Sequence, residues 1–438
     1  MMNDATAKRI HNVTCYGSII IMIIVIIVVA STFVWNIKQP TIAIVGSGPA
    51  GILMALELCD RGYRKIEVYG RLDDSQVQSV KFDGVNINIG AVGATSRAHT
   101  APNLLSVANR FGMKPSNVIY QNDVTYSRPE DVKSIATLGE LPYETIKNSW
   151  SKSISAWANS NGVSPDILRT PGLLNYSLTG YGPVTQIPLY HSVTGLVNAL
   201  SNDNVMYILD VYKLMNGIKG YLSAKGVKFY NTNAANVEKK KITLVGGAVK
   251  QFDIIIISCD PSKINHPLSH ILEGAIEHTN YFSAVFTVTG GPPPMTDIMI
   301  YNDVISENTK NKTVGYIVRH VPGSNIYHIV AYGYHGPDTN DELILGNVMD
   351  QLNATLPDNT IVAQKIYRWD HNLRYTKSAI QLDIPKMVGL EQGKDNIWYN
   401  SGLFSHWDIS NIGEFNHILV EYILRSSMKR PVPTGKID

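Results

Sequence analysis

The amino-acid sequence predicts an α/β fold in which one parallel-sheet domain is assembled from three separated chain segments. Three observations support this prediction. An apolar strand at 41–45 leads through a glycine-rich turn into a helix, and this strand–helix alternation stops near residue 112. The alternation returns at about 205–262 and again at about 388–430, with β-rich inserts between. A long uncharged stretch at 17–35 precedes the whole pattern.

The turn after the first strand carries a glycine pattern that is typical of dinucleotide binding. Gly46 permits a tight turn, Gly48 lets the backbone approach phosphates, and Gly51 lets helix and strand pack closely. Such a turn places a pyrophosphate on a helix N-terminus, where amides and the helix dipole favour an anion. A glycine-rich turn without a ligand is the alternative, which the flanking strand and helix disfavour. The candidate contacts here are Gly46, Ser47, Gly48, Pro49, Ala50 and Gly51.

The uncharged stretch predicts a transmembrane signal anchor. It runs for nineteen residues, from Gly17 to Trp35, and as a helix it would span about 28 Å, close to the hydrocarbon thickness of a bilayer. Tyr16 and Trp35 bracket it as interfacial aromatic residues do. A cleaved signal peptide is the alternative, but its apolar region is shorter, and Ala30-Ser31-Thr32 is a poor cleavage site.

The charges around this stretch favour a cytoplasmic N-terminus and a lumenal or extracellular main domain. Lys8 and Arg9 precede the stretch, whereas only Lys38 follows it closely. The sequons at Asn175, Asn311 and Asn353 would be open to glycosylation in that orientation.

Composition excludes few functions. The formal net charge is only +2, so no nucleic-acid partner is indicated. The three cysteines make neither a disulfide framework nor a CxxC pair, and the histidines show no metal-ligand spacing, so no metal is expected.

The segment order resembles that of the flavin-dependent amine oxidase and polyene desaturase superfamily, whose FAD domain is likewise assembled from three segments. Asn88-Ile89-Gly90-Ala91 resembles the strand end beside the flavin. In the second segment, Ala234 stands where a valine backbone normally contacts the adenine side. Residues 393–403 resemble the last strand and turn. A following helix, from Trp407 or Asp408 to Ser426, would direct its N-terminal amides at the flavin O2 edge.

The resemblance implies a Rossmann-type FAD-binding domain, a β-rich α+β substrate domain and FAD as the cofactor. The predicted boundaries are 1–16 for a cytoplasmic tail, 17–35 for the transmembrane anchor, 39–112, 205–262 and 388–430 for the three FAD-binding segments, and 113–204 and 263–387 for the two substrate-domain inserts. Beyond the glycine turn, the implied cofactor contacts are Gly90, Ala91, Ala234, Gly402, Leu403, Asp408 and Ile409.

Several positions depart from the family pattern. Gly70 stands where the family has a ribose-binding acid, with Glu67 on the strand and Asp73 or Asp74 beyond it as the nearest acids. The family's Gly-Gly-Arg motif is missing, Leu403 replaces a residue that is often acidic, and the strand at 281–288 has no lysine. Binding of a nicotinamide dinucleotide by the same glycine pattern is the second interpretation.

The sequence does not identify a catalytic residue. The sequence predicts a membrane-anchored FAD-dependent oxidoreductase that transfers a hydride from a small apolar or amphipathic substrate to flavin N5. The alternative is a membrane-anchored interaction protein that keeps the fold without catalysis. His406 could act as an acid or base, or could simply be a surface or packing histidine. Aromatic residues that could line a substrate site, or could be plain core, are Tyr176, Tyr181, Tyr190, Tyr367, Trp369, Tyr375 and Trp407.

Overall fold

The computed structural model describes most of the chain after the apolar N-terminal stretch. The described residues are 39–71, 77–90, 93–95, 104–114, 116–117, 120–122, 149–162, 182–192, 206–292, 294, 298–301, 311–336, 338–405 and 409–427. The predicted tail at 1–16 and the predicted anchor at 17–35 lie outside them. Within the described ranges, no helix is both long and apolar enough to cross a membrane.

The secondary structure alternates between short buried strands and longer strands in a second sheet. The strands are β1 (Ile42–Val45), β2 (Ile66–Tyr69), β3 (Ser79–Phe82), β4 (Val85–Asn88), β5 (Gly93–Thr95), β6 (Ser116–Asn117), β7 (Tyr120–Asn122), β8 (Met206–Ile208), β9 (Lys228–Tyr230), β10 (Ala234–Glu238), β11 (Lys241–Leu244), β12 (Val249–Gln251), β13 (Ile254–Ile257), β14 (Ile276–Thr289), β15 (Ile298–Ile300), β16 (Lys312–His320), β17 (Tyr327–Tyr334), β18 (Thr360–Tyr375) and β19 (Ile397–Tyr399). The α-helices are α1 (Pro49–Asp60), α2 (Leu104–Arg110), α3 (Ile154–Ser160), α4 (Val211–Ala224), α5 (Ser269–Leu272), α6 (Asp341–Thr355), α7 (Lys377–Gln381), α8 (Ile384–Leu390), α9 (Gly402–Ser405) and α10 (Ile409–Ser427).

A five-stranded parallel sheet forms the centre of the nucleotide-type domain. Its strand order is β19-β13-β1-β2-β9, and Ile42 on β1 lies opposite Ile254 on one side and Ile66 on the other. β1 and β13 are buried along their whole length, because continuous runs of apolar residues suit a strand that is covered on both faces. One sheet therefore draws strands from three separated stretches of chain, as the sequence predicted, while the exact domain boundaries stay predictions.

Helices cover one face of this sheet. Leu53 of α1, Ile218 of α4 and Val420 of α10 belong to one buried apolar cluster with Ile44 and Ile256 of the sheet. The opposite face packs against the antiparallel sheet β10-β11-β12 and against the end of β18. A second apolar cluster, which includes Val45, Ile242 and Tyr375, forms this contact.

The structure describes the last helix from Ile409 onward, and it differs from the sequence-based expectation at Gly402. The sequence predicted a turn at Gly402 and a helix from Trp407 to Ser426. In the structure, Gly402 is the first residue of the short helix α9, and α10 begins at Ile409 and ends at Ser427. Residues 406–408 lie outside the described part of the chain.

The second, β-rich domain is built on a six-stranded sheet. The strand order is β18-β14-β17-β16-β15-β7, and the neighbouring strands β14 and β18 are 14 and 16 residues long. α6 packs on one face of this sheet, because its three buried residues Ile344, Val348 and Leu352 recur every four positions and meet Phe282 and Phe286 of β14.

Replacing Leu352 by alanine should destabilise the protein by about 2–5 kcal/mol, because the fully buried side chain leaves a cavity between α6 and the sheet. Leu343→Ala on the same helix is the matched control, since Leu343 is 51% exposed and should change the free energy of unfolding by less than about 0.5 kcal/mol. Urea unfolding followed by circular dichroism measures both. Equal effects would show that α6 does not pack on the sheet as described.

Candidate functional site

The glycine turn connects the buried strand β1 to the first turn of α1. Gly46 donates its backbone N–H to the carbonyl oxygen of Tyr69 at 2.7 Å, which holds the turn against the end of β2. α1 begins at Pro49, whose missing N–H is no loss at the first helical position, and Gly48 is its N-cap. The helix N-terminus therefore opens directly at the carboxyl end of the sheet, where open α/β sheets bind their ligands.

Two of the three glycines in the turn leave no room for a side chain. At Gly46, which has a φ of +124°, a Cβ would lie 2.6 Å from the backbone carbon of Ser258. At Gly51 a Cβ would lie 1.9 Å from the Gly46 carbonyl oxygen. Both positions exclude any side chain because the backbone itself is in the way.

Gly48 differs from the other two glycines because the protein leaves room for a side chain there. Its backbone is extended, with φ −72° and ψ −176°, a conformation that any residue adopts. No atom among the described residues lies within 4 Å of where its Cβ would be. The fold itself therefore does not require glycine at this position, either for space or for backbone conformation. This is expected where a glycine is needed because a bound phosphate approaches the backbone.

Buried polar atoms without partners gather at the carboxyl ends of the strands. The Oγ atoms of Ser47 and Ser258 and the Oδ1 atoms of Asn88 and Asn400 are buried and have no hydrogen-bond partner among the described residues. They stand at or just after the ends of β1, β13, β4 and β19. Native proteins rarely leave such atoms unsatisfied. Because β1, β13 and β19 are parallel neighbours, Ser47, Ser258 and Asn400 lie at one edge of the sheet, which fits a polar ligand bound across these strand ends, as FAD would be.

The last segment is fixed against the start of α1 by two asparagines. Asn400, just after β19, and Asn416 on α10 each donate from Nδ2 to the Ala50 carbonyl oxygen at 3.2 Å. The Oδ1 of Asn416 is, like that of Asn400, buried and unpartnered within the described structure. These bonds set the position of α10, whose first residue Ile409 is buried, relative to the glycine turn.

The remaining sequence-predicted contacts are distributed around this edge. Gly90 follows β4 and is half-buried. Ala234 begins β10, lies opposite Leu244 and packs in the same apolar cluster as Tyr69. Leu403 is buried in that cluster as well. Ala91 and Asp408 lie outside the described residues, and contact of these positions with FAD stays a prediction.

Within the described residues, the one acid of β2, Glu67, is already bonded to other side chains. The carboxylate of Glu67 accepts a hydrogen bond from the Tyr69 hydroxyl and lies 3.7 Å from Lys228 Nζ. Burial, together with this carboxylate, holds the pKa of Tyr69 well above its ordinary range. The Tyr69 ring stacks on that of Tyr230, with centroids 4.9 Å apart. The carboxylate of Glu67 is therefore bonded to Tyr69 of the aromatic stack rather than directed at the position beside Gly70.

A group of tyrosines that the sequence did not single out lies on the face of the six-stranded sheet opposite α6. Strand alternation puts Tyr281 on that face, because Phe282 contacts the α6 side. Tyr281 lies 5.9 Å from Tyr332 and 5.7 Å from Tyr334 between ring centroids. Trp369 on the neighbouring strand donates its Nε1–H to Ser283 Oγ at 2.9 Å. We call Tyr281, Tyr332, Tyr334 and Trp369 the tyrosine face.

The tyrosine face is apolar in character although it carries hydroxyl groups. All four side chains are buried, and burial raises the pKa values of Tyr281 and Tyr332, so both hydroxyls stay protonated at neutral pH. The Tyr332 hydroxyl has no hydrogen-bond partner in the described part of the chain. Of the aromatic residues named from sequence, Trp369 belongs to this face. Tyr190 and Tyr375 pack in the second apolar cluster, that of Ala234 and Leu403. Tyr176, Tyr181 and Trp407 lie outside the described residues.

Burial keeps two titratable side chains of this domain neutral. Burial raises the pKa of the Cys259 thiol to about 12, so this cysteine next to the glycine turn is neutral. Burial lowers the pKa of His266 to about 4, and its ring bonds to the backbone of Pro261 and Leu268. Within the described residues, no group of His, Cys, Asp or Glu could hold a metal ion. His406 lies outside them.

The fold is a parallel-sheet domain with a glycine turn at its carboxyl edge, joined to a β-rich domain. Comparison with solved structures agrees. A conjugated-linoleic-acid-producing fatty acid isomerase from P. acnes is similar with a TM-score of 0.70 at 15% identity, over 88% of this chain and 99% of that one. Wild-type putrescine oxidase bound to putrescine reaches 0.65 at 13% identity, over 88% and 99%. Cyclohexylamine oxidase from Brevibacterium oxydans reaches 0.60 at 12% identity, over 89% and 100%.

These neighbours are FAD-dependent flavoenzymes of the amine oxidase-like kind, so the resemblance inferred from the sequence is confirmed at the level of the fold. No protein-family profile matches this chain. No curated protein matches it by sequence either. At 12–15% identity the likeness establishes the fold alone.

Gly48→Val should leave the protein folded but unable to hold FAD. The backbone conformation suits valine and the space beside Gly48 is open, so the cost falls on the ligand. We expect a melting temperature within about 3 °C of the FAD-free wild type and loss of flavin absorbance. Gly51→Val is the contrasting variant, and it should fail to fold because its side chain meets the Gly46 carbonyl. Full flavin content in Gly48→Val would contradict the assignment of the phosphate turn.

Proposed function

We propose that the protein is an FAD-dependent oxidoreductase of the amine oxidase-like kind. One observation carries the proposal: Ser47, Ser258 and Asn400, which follow the parallel strands β1, β13 and β19, each carry a buried polar atom without a partner among the described residues, at the sheet edge where Gly48 leaves open space. This arrangement has polar groups and space where the fold binds a dinucleotide, and the fold is that of FAD-dependent neighbours.

The glycine turn and the two last helices would hold the cofactor. The N-terminus of α1 favours the pyrophosphate through its free amides and its dipole. The N-terminus of α10, fixed by Asn416, favours the negative charge that develops on the pyrimidine side of a reduced flavin. When bound, FAD supplies the two-electron redox centre. The chain's own residues bind and orient it and exclude water from its surroundings.

The tyrosine face supports a small apolar or amphipathic substrate. β18, which carries Trp369, also contacts α9 of the third segment, so this strand connects the tyrosine face to the domain of the proposed flavin site. Buried aromatic rings offer an apolar wall, and protonated hydroxyls add neutral hydrogen bonds but no charge. The substrates named for the neighbours, a fatty acid, putrescine and cyclohexylamine, each have an aliphatic portion. We propose hydride transfer from such a substrate to flavin N5.

A non-catalytic interaction protein is the second candidate. Two observations favour it: β14 carries no lysine along the tyrosine face, and Gly70 stands at the described end of β2 where the resemblance implies an acid. Lys365, opposite Val285, is exposed and lies over the Tyr367 ring, 5.1 Å from its centroid. Such a protein would keep the fold and bind a nucleotide without turnover.

Purified full-length protein should be yellow and should lose its oxidised-flavin absorbance when dithionite is added under anaerobic conditions. An aliphatic amine, an unsaturated fatty acid and a hydrophilic polyamine, each added anaerobically, then test turnover, and we expect bleaching with a substrate that has an apolar portion. Gly48→Val is the colourless control. A wild type that takes up no FAD would overturn the proposal, and FAD binding without bleaching by any electron donor other than dithionite would favour the second candidate.

We further propose that residues 17–35 anchor the protein in a membrane with the main domain on the lumenal or extracellular side. The support is the sequence itself, an uncharged stretch with the excess of basic residues before it.

Full-length protein should sediment with membranes and resist carbonate extraction. Replacing Ile24 and Ile27 by aspartate should release it, because two charges at the centre of the span cost about 5–7 kcal/mol of insertion free energy. Conservative replacement of both residues by leucine is the control. A wild-type product trimmed after about residue 31 would instead establish a cleaved signal peptide.

A further inference from the structure

Gly70, the residue after β2, packs directly against the phosphate turn. A Cβ at Gly70 would lie 2.6 Å from the backbone nitrogen of Ser47 and 2.7 Å from its Oγ. Such distances are shorter than any real contact of a Cβ atom. An acidic side chain, which the resemblance leads one to expect at this position, cannot be placed here unless the phosphate turn moves.

Hydrogen bonds hold both Ser47 and Gly70 at this contact. Gly46 donates to the Tyr69 carbonyl at 2.7 Å, and Gly70 donates to the Tyr230 carbonyl at 3.1 Å, so both chain segments are bonded on either side of the contact. The stacked rings of Tyr69 and Tyr230 fix the end of β2 from the other side. The close approach of Gly70 to Ser47 is therefore fixed by the hydrogen bonds and the ring packing at this strand end.

Ser47 supplies the second observation. Its side chain lies in a residue only 6% exposed, and its Oγ has no hydrogen-bond partner among the described residues. The neighbouring Gly70 offers no side chain that could satisfy it. A buried hydroxyl beside the open Gly48 thus lacks a partner in the protein and is positioned to find one in a bound ligand.

We propose that the adenosine ribose meets no carboxylate at the described end of β2, and that Gly70 instead holds Ser47 so that its hydroxyl contacts the dinucleotide. This inference rests on the proposed function, since FAD is the dinucleotide concerned. Gly70 is a positioning residue and Ser47 a binding residue. The affinity then comes from the phosphate turn, while the described end of β2 offers the ribose no charged group.

Competition with FAD on the wild-type protein tests the ribose claim without any substitution. ADP and 2′-deoxy-ADP should displace FAD with inhibition constants within about twofold of each other, whereas a carboxylate bonded to the ribose 2′-hydroxyl would favour ADP by more than about tenfold. A tenfold preference for ADP would overturn the inference. Failure of the wild type to bind FAD at all would instead overturn the proposed function.

Variants test the roles of Gly70 and Ser47 by fluorescence titration with FAD. Gly70→Ala and Gly70→Glu should each weaken FAD binding by at least about tenfold, because the turn must shift. Gly220→Ala and Gly220→Glu are matched controls, since Gly220 on α4 is exposed and nothing lies within 4 Å of its Cβ. They should bind FAD as the wild type does. A Gly70→Glu variant that binds FAD as tightly as the wild type, or more tightly, would overturn the inference.

Ser47→Ala separates ligand binding from folding. It should weaken FAD binding by about three- to tenfold. The melting temperature of the FAD-free protein should stay the same or rise, because the substitution removes a buried hydroxyl that has no partner in the described structure. Unchanged FAD affinity in Ser47→Ala would overturn the role of Ser47, even if the Gly70 variants do not fold.

Discussion

The close backbone approach between the glycine turn and the neighbouring strand ends is the constraint on which the rest of the structure depends. Gly46 lies against Ser258 after β13, Gly51 against the Gly46 carbonyl, and Gly70 after β2 against Ser47. These contacts leave no room for side chains, so the three middle strands of the parallel sheet and α1 are held in one arrangement. Because parallel strands end at the same edge, this arrangement also brings together the polar groups that follow each strand.

The same arrangement leaves buried polar atoms that a bound ligand would satisfy. A buried polar atom without a partner costs about 1–3 kcal/mol, and Ser47, Ser258, Asn88, Asn400 and Asn416 each carry one within the described residues. Total stabilities of folded domains are only about 5–15 kcal/mol. A ligand that satisfies these atoms would thus stabilise the sheet edge itself, so that cofactor binding and folding of this domain are coupled. Asn400 and Asn416 extend this coupling to α10 through their shared bond to Ala50.

Sequence reasoning predicted the parts whose signal is local. The apolar runs of β1 and β13, the glycine pattern and the amphipathic helices α4 and α10 are all visible within a short window. The tyrosine face could not be predicted, because it depends on the register of β14 with β17 and β18, which are far apart in sequence. α6 was missed because its buried positions, every fourth residue only, give a weak periodic signal. The contact of Gly70 with Ser47 joins two stretches that no local pattern connects.

The departures from the family pattern change how the cradle is built. At Gly70 an expected charge is replaced by a backbone contact, and at Leu403 an often acidic position holds a buried leucine that packs with Tyr399. In both places, packing takes over the space where a carboxylate would stand. The buried polar groups that the structure describes at this sheet edge are neutral: backbone amides at a helix N-terminus, serine hydroxyls and asparagine amides. Recognition by such groups depends on their fixed positions rather than on charge, and this explains why the turn, the strand ends and α10 are bonded to one another so closely.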